Sequence, residues 1–422
     1  MTEAKTASAE GSESESIESL AASFTLFSPE YQQDPAPFYA RLRADCPVAH
    51  SEQAGGFYLI SRYEDQRYVL QHPEIYSSKT LIIGSKMSDE VGLGRDIPIM
   101  YDPPVHGKYR KIIISALSKA NVERYEQLAV DTARRLIDDM IAAGEVNFTT
   151  AFATPFPTTI FCAVMGIPVE ELDRFVGWKE EFNRLGLSHD KEVAAEVNRR
   201  VFGEMAAYFG DLIKQRRAAA ASGMDSGPQQ DLIGVLMNGR YDGERPLTDR
   251  ELINYCILVF KGGMDTVTNV LGMTTYHLAS DPSLREQIVR DPGLIPSAIE
   301  EFLRFEPVIT GLREVVREDT LRGVTFRPGD LVMLLNVAGG RDPEQFDHPG
   351  TIDLRRSPNR HLTFGAGPHR CLGSHLARME LTVALREIHE RMPNYRLDDR
   401  YPHRFRLGYL RGVEDLHLII DT

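Results

Sequence analysis

The stretch Phe364-Gly365-Ala366-Gly367-Pro368-His369-Arg370-Cys371-Leu372-Gly373 is the most constrained part of the chain. Its glycines and Pro368 predict an irregular loop, since Gly frees φ and Pro fixes it. Helical periodicity begins directly behind it, over Ser374–Arg391. Cys371 is therefore expected at a helix N-terminus, where the dipole and free N–H groups favour a thiolate. Such a thiolate acts as a nucleophile or a metal ligand. His361, His369 and His375 lie nearby, but their spacing fits no common zinc pattern. No base partner for a nucleophile is evident. A lone cysteine is by default a buried structural one; this string is too constrained for that.

Upstream, Thr248-x-x-Glu251 is a capping box that opens a helix. The helix is expected to run unbroken to Ser280, where Asp281-Pro282 stops it. That is about 32 residues, or ~48 Å. The run Tyr255–Phe260 is apolar on all faces, so the helix is expected in a core. Gly262-Gly263 in its interior costs about 1 kcal/mol per glycine relative to Ala. Either a neighbouring element packs closely there, or a bulky ligand lies flat against the turn. Gly262, Asp265 and Thr266 share a face. An acid and a hydroxyl beside bare backbone suit a proton relay.

Tyr125–Ala143 and Glu192–Arg217 are also helical in period. Strand alternation is confined to Gly56–Ile60, Val324–Phe326, Leu331–Leu335 and Leu416–Ile420. The class is mainly α with small antiparallel β-sheets. Residues 1–24, rich in Ser, Glu and Ala, read as a disordered tail. Residues 25–422 read as one domain, with Arg216–Gln230 as an exposed loop. The 422 residues carry 48 Lys+Arg against 61 Asp+Glu, a net charge of −13 that argues against nucleic-acid binding. Four cysteines with no CxxC pair suit a reducing cytoplasm. No apolar run reaches the ~20 residues of a membrane span, and no signal peptide is evident.

The cysteine string resembles the haem-binding signature of cytochrome P-450 monooxygenases. The resemblance extends over nearly the whole chain after the tail. Gly262-Gly263-Met264-Asp265-Thr266 is similar to the family's oxygen-activating helix motif. Glu301 and Arg304 match its Glu-x-x-Arg structural pair, and Arg341-Asp342-Pro343-x-x-Phe346 resembles a phrase between that pair and the cysteine. The resemblance implies the cytochrome P-450 fold, with haem b between the long helix and the cysteine-loop helix. Cys371 is then the axial thiolate, and thiolate donation favours O–O cleavage. No Cys-x-x-Cys-His is present, which implies non-covalent haem. Phe364, Gly373 and Gly262 match cofactor-side positions. His106, Arg110, Arg313 and His369 match the contacts to the haem propionates, which need cations or N–H donors. Asp265 and Thr266 match the acid–alcohol pair of enzymes that activate O2 reductively.

Asp102-Pro103-Pro104, Pro155-Phe156-Pro157-x-x-Ile160-Phe161 and Gly262–Asn269 are similar to the camphor-hydroxylase branch. In that branch an arginine pairs with the acid, and Arg184 matches it. Gly94 stands where the camphor enzyme has its substrate-binding tyrosine, so camphor itself is not implied. Substrate-pocket positions by resemblance are Ile97, Leu258, Lys261, Val308, Ile309, Tyr409 and Leu410. Several are apolar, which points to a small hydrophobic substrate such as a terpenoid or norisoprenoid. The lysine departs from the branch's apolar residue. Its expected partner is Asp265, an acid of the nearby loop (Asp89, Glu90 or Asp96), or a substrate oxygen.

No Gly-x-Gly-x-x-Gly follows a strand, so electrons are expected from a ferredoxin served by a reductase. Arg355, Arg356, Arg360 and Arg370, with Lys108, Arg110 and Lys111, form a basic patch suited to steering that acidic partner. The expected protein is a monomer without membrane or nucleic-acid partners. A peroxide-using or isomerising haem enzyme, or a non-catalytic haem-binding protein, are the rival classes.

Overall fold

Ile17, Leu20, Ala21 and Phe24 repeat at helical spacing, and the chain is ordered there. The computed structural model describes residues 16–28, 31, 34–83, 92–183, 190–223, 230–406 and 408–421. Helix α1 spans Ile17–Ala22, with the Ser16 hydroxyl accepting the Ser19 N–H at 3.2 Å. Ile17, Ala21 and Phe24 are buried, and Phe24 stacks on Phe38 with centroids 5.3 Å apart. The disorder expected up to residue 24 is thus corrected for residues 16–24, whose apolar face composition alone conceals. Residues 1–15 lie outside the described residues.

The helices that frame the molecule follow in order. They are α2 (Val105–Ile113), α3 (Glu126–Ala143), α4 (Pro155–Met165), α5 (Leu172–Glu181) and α6 (Lys191–Ala221). Then come α7 (Asp249–Gly263), α8 (Thr266–Ser280), α9 (Ile295–Phe305) and α10 (Ser374–Arg391). Their apolar faces meet in one large core. No helix among the described residues is long and apolar enough to cross a membrane.

A five-stranded sheet lies to one side, in the order Val48–Ser51, Phe57–Ile60, Leu331–Leu334, Gly311–Val315, Tyr76–Ser77. Its pairings are antiparallel except that of Leu331–Leu334 with Phe57–Ile60. Successive side chains of a strand point to opposite faces. Accordingly Phe57, Leu59, Leu312 and Met333 join the cluster around α1, while Ile60, Val332 and Leu334 join Tyr76 and Phe326 on the other side.

The single helix expected over Thr248–Ser280 is two. The capping box forms, with Thr248 Oγ1 accepting the Glu251 N–H at 3.3 Å and Glu251 Oε2 accepting the Thr248 N–H at 2.8 Å. The break falls at Met264-Asp265, directly after the two glycines. Close packing holds for Gly263, and Gly262 leaves open space. A Cβ on Gly263 would press to 3.1 Å from the Phe161 ring, whereas a Cβ on Gly262 would meet nothing within 4 Å.

Glu301 and Arg304 of α9 form a bidentate pair at 2.6 and 2.8 Å, both side chains fully buried. Arg304 also donates to the carbonyls of Gly340, Pro349 and Thr351. Glu301 accepts from the Asp353 N–H, Arg356 Nε and Asn359 Nδ2. Burial pushes the Glu301 carboxyl up, but these donors win and hold it below its ordinary range. Glu301→Ala would strand the buried guanidinium. A loss of about 3–5 kcal/mol in unfolding free energy is expected, measurable by chemical denaturation.

Candidate functional site

In the cysteine loop, Gly365 and Gly367 adopt left-handed φ of 69° and 67°. A Cβ on Gly367 would also sit 2.6 Å from the Leu70 carbonyl oxygen, so only glycine serves there. The Gly365 N–H donates to Leu362 O at 2.7 Å, and the Cys371 N–H to Phe364 O at 2.8 Å. These bonds close the loop and set Cys371 just before α10, whose N-cap is Gly373. Cys371 is the accessible cysteine; Cys46 is half-buried, and Cys162 and Cys256 are buried with thiols pushed up to about 12. Although water reaches the Cys371 residue, protein surrounds its sulfur, and this burial raises the thiol. The Gly373 N–H, Arg110, Arg378 and Arg370 pull the other way without overcoming it. Burial thus opposes the thiolate that the helix N-terminus favours; coordination to a metal would deprotonate the thiol outright.

Four cationic or donor side chains converge on one side of this loop. His106 and Arg110 come from α2, Arg313 from the strand Gly311–Val315, and His369 from the loop itself. The rings of His106 and His369 lie 4.1 Å apart. Burial, then Arg110, pushes His106 down to about 4. Burial, then His106, Arg313 and Arg110, pushes His369 down to about 3. Burial lowers Arg313 to about 10, with Asp102 opposing. His369 Nε2 is buried without a hydrogen bond, its nearest carboxylate oxygen being Asp102 Oδ1 at 3.9 Å. Arg110 Nη2 donates to Arg370 O at 2.5 Å and ties α2 to the loop. Mutually repelling donors with an unsatisfied nitrogen make a site for carboxylates.

At the break between α7 and α8, the Thr266 hydroxyl donates to Gly262 O at 3.0 Å. Asp265 is buried and lies 3.7 Å from Lys179 Nζ and 3.6 Å from Arg406 Nη1. Lys179 also donates to Thr154 Oγ1 at 3.1 Å. Burial lowers its ammonium, with Asp265 opposing. Arg184, expected beside Asp265, lies outside the described residues. Lys179 was legible as an anomaly, for it stands four residues after the buried Phe175 on the apolar face of α5. Arg406 carries no sequence signal.

Leu258, Gly262 and Thr266 follow at four-residue spacing along α7 and the break, none of them fully buried. Val308 is buried, while Ile309 is 39% exposed and bridges antiparallel to Leu410. Ile97 is buried, its N–H donated to Asn254 Oδ1 at 2.6 Å. Tyr409 packs toward the N-terminal segment, its hydroxyl accepting the Ile83 N–H at 2.9 Å and its ring meeting Phe27 edge-on. Lys261 has found Asp96, at 2.6 Å. Asp265 takes other cations, and Asp89 and Glu90 lie outside the described residues.

The three histidines diverge: His361 pairs with Glu300, His369 stacks on His106, and His375 is exposed. Among the described residues no His/Cys/Asp/Glu group of three could hold a metal ion. The basic patch is smaller than expected. Arg356 is spent on Glu301, Arg355 faces Asp291 and Lys108 faces Asp242, because folding brings an acid to each. Lys111, Arg360 and Arg370 are exposed.

Residues 56–291 and 293–392 match the family described as Cytochrome P-450. The chain belongs to this family. It is 33% identical over 365 residues to the mycinamicin IV hydroxylase/epoxidase of Micromonospora griseorubida, covering 85% of this chain and 88% of that one. The crystal structure of CYP101J2 superposes with a TM-score of 0.82 at 33% identity, covering 94% and 96% of the two chains. P-450BioI, solved with a hexadec-9Z-enoic acid ligated acyl carrier protein, gives 0.83 at 28% identity, covering 93% and 99%. The family makes the chain a monooxygenase with haem b and a cysteine thiolate ligand. The residues present fit that group: a loop cysteine whose residue is open to solvent, a donor cluster with an orphaned nitrogen for two carboxylates, and a glycine with open space above it. Cys371→His is expected to abolish the thiolate-type spectrum of the ferrous–CO form; its persistence would remove Cys371 as the ligand.

Proposed function

We propose that this cytochrome P-450 inserts one oxygen atom of O2 into a C–H bond of a small hydrophobic substrate, with electrons delivered by a ferredoxin and its reductase. The observation that carries the reading is the pairing at the helix break: a hydroxyl on the Gly262 carbonyl, next to a buried acid held between two cations. When bound, the haem supplies thiolate-assisted activation of O2. Cys371 would ligate its iron, with the Gly373 N–H directed at the sulfur and Phe364 at the start of the loop. His106, Arg110, Arg313 and His369 would hold its carboxylates. Gly262 leaves the flat space it needs, having no side chain to fill it.

Asp265 takes protons from the Lys179–Arg406 side and passes them toward Thr266, whose hydroxyl can leave the Gly262 carbonyl to hold O2 by a hydrogen bond. A peroxide-driven or isomerising enzyme has no need of this relay. Leu258, Val308, Ile309, Leu410, Ile97 and Tyr409 are the residues assigned to the pocket, and their mainly apolar character suits a terpenoid or norisoprenoid. The relative's name, hydroxylase/epoxidase, supports the oxygen insertion and not this substrate. Lys111, Arg360 and Arg370 around the loop, with Ile114 50% exposed one turn after Lys111, suit an acidic redox partner: a basic rim and an apolar anchor. The unpaired cysteines suit a cytoplasmic setting.

The test is substrate-dependent NADH consumption in the presence of a ferredoxin and reductase, with hydroxylated product measured alongside. Product driven by hydrogen peroxide alone, with no response to NADH, would sink the reading. Thr266→Ala should keep NADH consumption while product per NADH falls severalfold and hydrogen peroxide rises. Lys111→Glu with Arg360→Glu should raise the KM for an acidic ferredoxin roughly fivefold at low salt, and less at high salt.

A further inference from the structure

Segment 93–97 is fastened to α7 by contacts that the oxygen chemistry does not require. Asn254 spans the segment: Oδ1 accepts the Ile97 N–H at 2.6 Å, and Nδ2 donates to Arg95 O at 3.1 Å and Leu93 O at 3.3 Å. Seven residues further on the same helix face, Lys261 Nζ donates to Asp96 Oδ2 at 2.6 Å. The two side chains are only 10% and 3% exposed. The same ammonium stands 4.8 Å from the ring centroid of Phe202 on α6. The Met100 N–H returns to Asp96 O at 2.9 Å, fixing the backbone that carries the acid. One cation thus meets α7, α6 and segment 93–97 together.

A buried pair of this kind costs much to desolvate and is strongly disruptive when one partner is removed. Its value lies in fixing one arrangement of the elements around it. Lys261 directly precedes Gly262 and adjoins the open line Leu258–Gly262–Thr266. Lys261 is answered by Asp96, so it offers no bare ammonium to a ligand.

We propose that Lys261 is a positioning residue for substrate: through its buried pair with Asp96, supported by Asn254, it clamps segment 93–97 against α7 and α6 and so sets the width of the space above Gly262. The substrate class that follows is compact and uncharged. Only the identity of that space rests on the monooxygenase reading.

The test uses two azoles that ligate ferric haem, 4-phenylimidazole and the bulkier 4-biphenylimidazole, followed by the shift of the Soret band. Lys261→Met and Asp96→Asn should each raise the affinity ratio of bulky to compact azole on the order of tenfold. Lys261→Arg, which keeps the charge, should leave it near wild type. Hydrogen exchange at the Ile97 amide should quicken by about tenfold in the first two variants and not in the third. An unchanged ratio and unchanged exchange in folded Lys261→Met and Asp96→Asn would overturn the clamp. Loss of the thiolate-type CO spectrum in the wild type would sink the monooxygenase reading, yet the exchange measurement would still judge the clamp.

Discussion

The placing of the cysteine loop depends on one buried ion pair, Glu301–Arg304, and on the helix that carries it. Little more than one turn of α9, Glu300 to Arg304, carries this bonding. Glu301 and Arg304 grip the run from Gly340 to Asn359 through its backbone and through Arg356 and Asn359. Glu300 holds Arg378 of α10 and His361 ahead of the cysteine loop. Leu303 O accepts from the Thr363 hydroxyl at 2.6 Å. The cysteine loop is therefore held from both ends by a single rigid element. Two charges are affordable in such a place only because every lone pair and N–H is answered.

The helix break gives the second half of the site its geometry. A continuous helix would hold every carbonyl in the backbone ladder. The interruption after Gly262-Gly263 frees the Gly262 carbonyl for the Thr266 hydroxyl and turns Asp265 toward Lys179 and Arg406.

Much of this was legible in the sequence, for reasons that differ by feature. The cysteine string and the Gly-Gly-Met-Asp-Thr run are local: turn chemistry, a helix start and a weak helix centre show in a few adjacent residues. The helix α10 was bounded correctly because period and flanking glycine agree. What stayed hidden was long-range pairing. Arg406 meets Asp265 across more than a hundred residues, and nothing in its neighbours marks it. Arg356 looked like a surface charge until folding placed it on Glu301. Lys261 showed as an anomaly, but the choice of Asp96 among its possible partners needed the three-dimensional fold. Helix α1 was missed because composition outweighed a clear apolar spacing at Ile17, Leu20, Ala21 and Phe24.

The N-terminal cluster has a bearing on how the chain is made. Leu26 O accepts the Gly408 N–H at 2.9 Å, and Phe27 meets Tyr409. The first described segment is thus met by residues from the far end of the sequence. Phe24 can meet Phe38 early, but Leu26 and Phe27 lack these partners until residues 408 and 409 are in place. Closure across such a separation is slow and exposes sticky surface meanwhile. This contact therefore closes only when residues 26–27 and 408–409 are both present, however early the rest of the cluster forms.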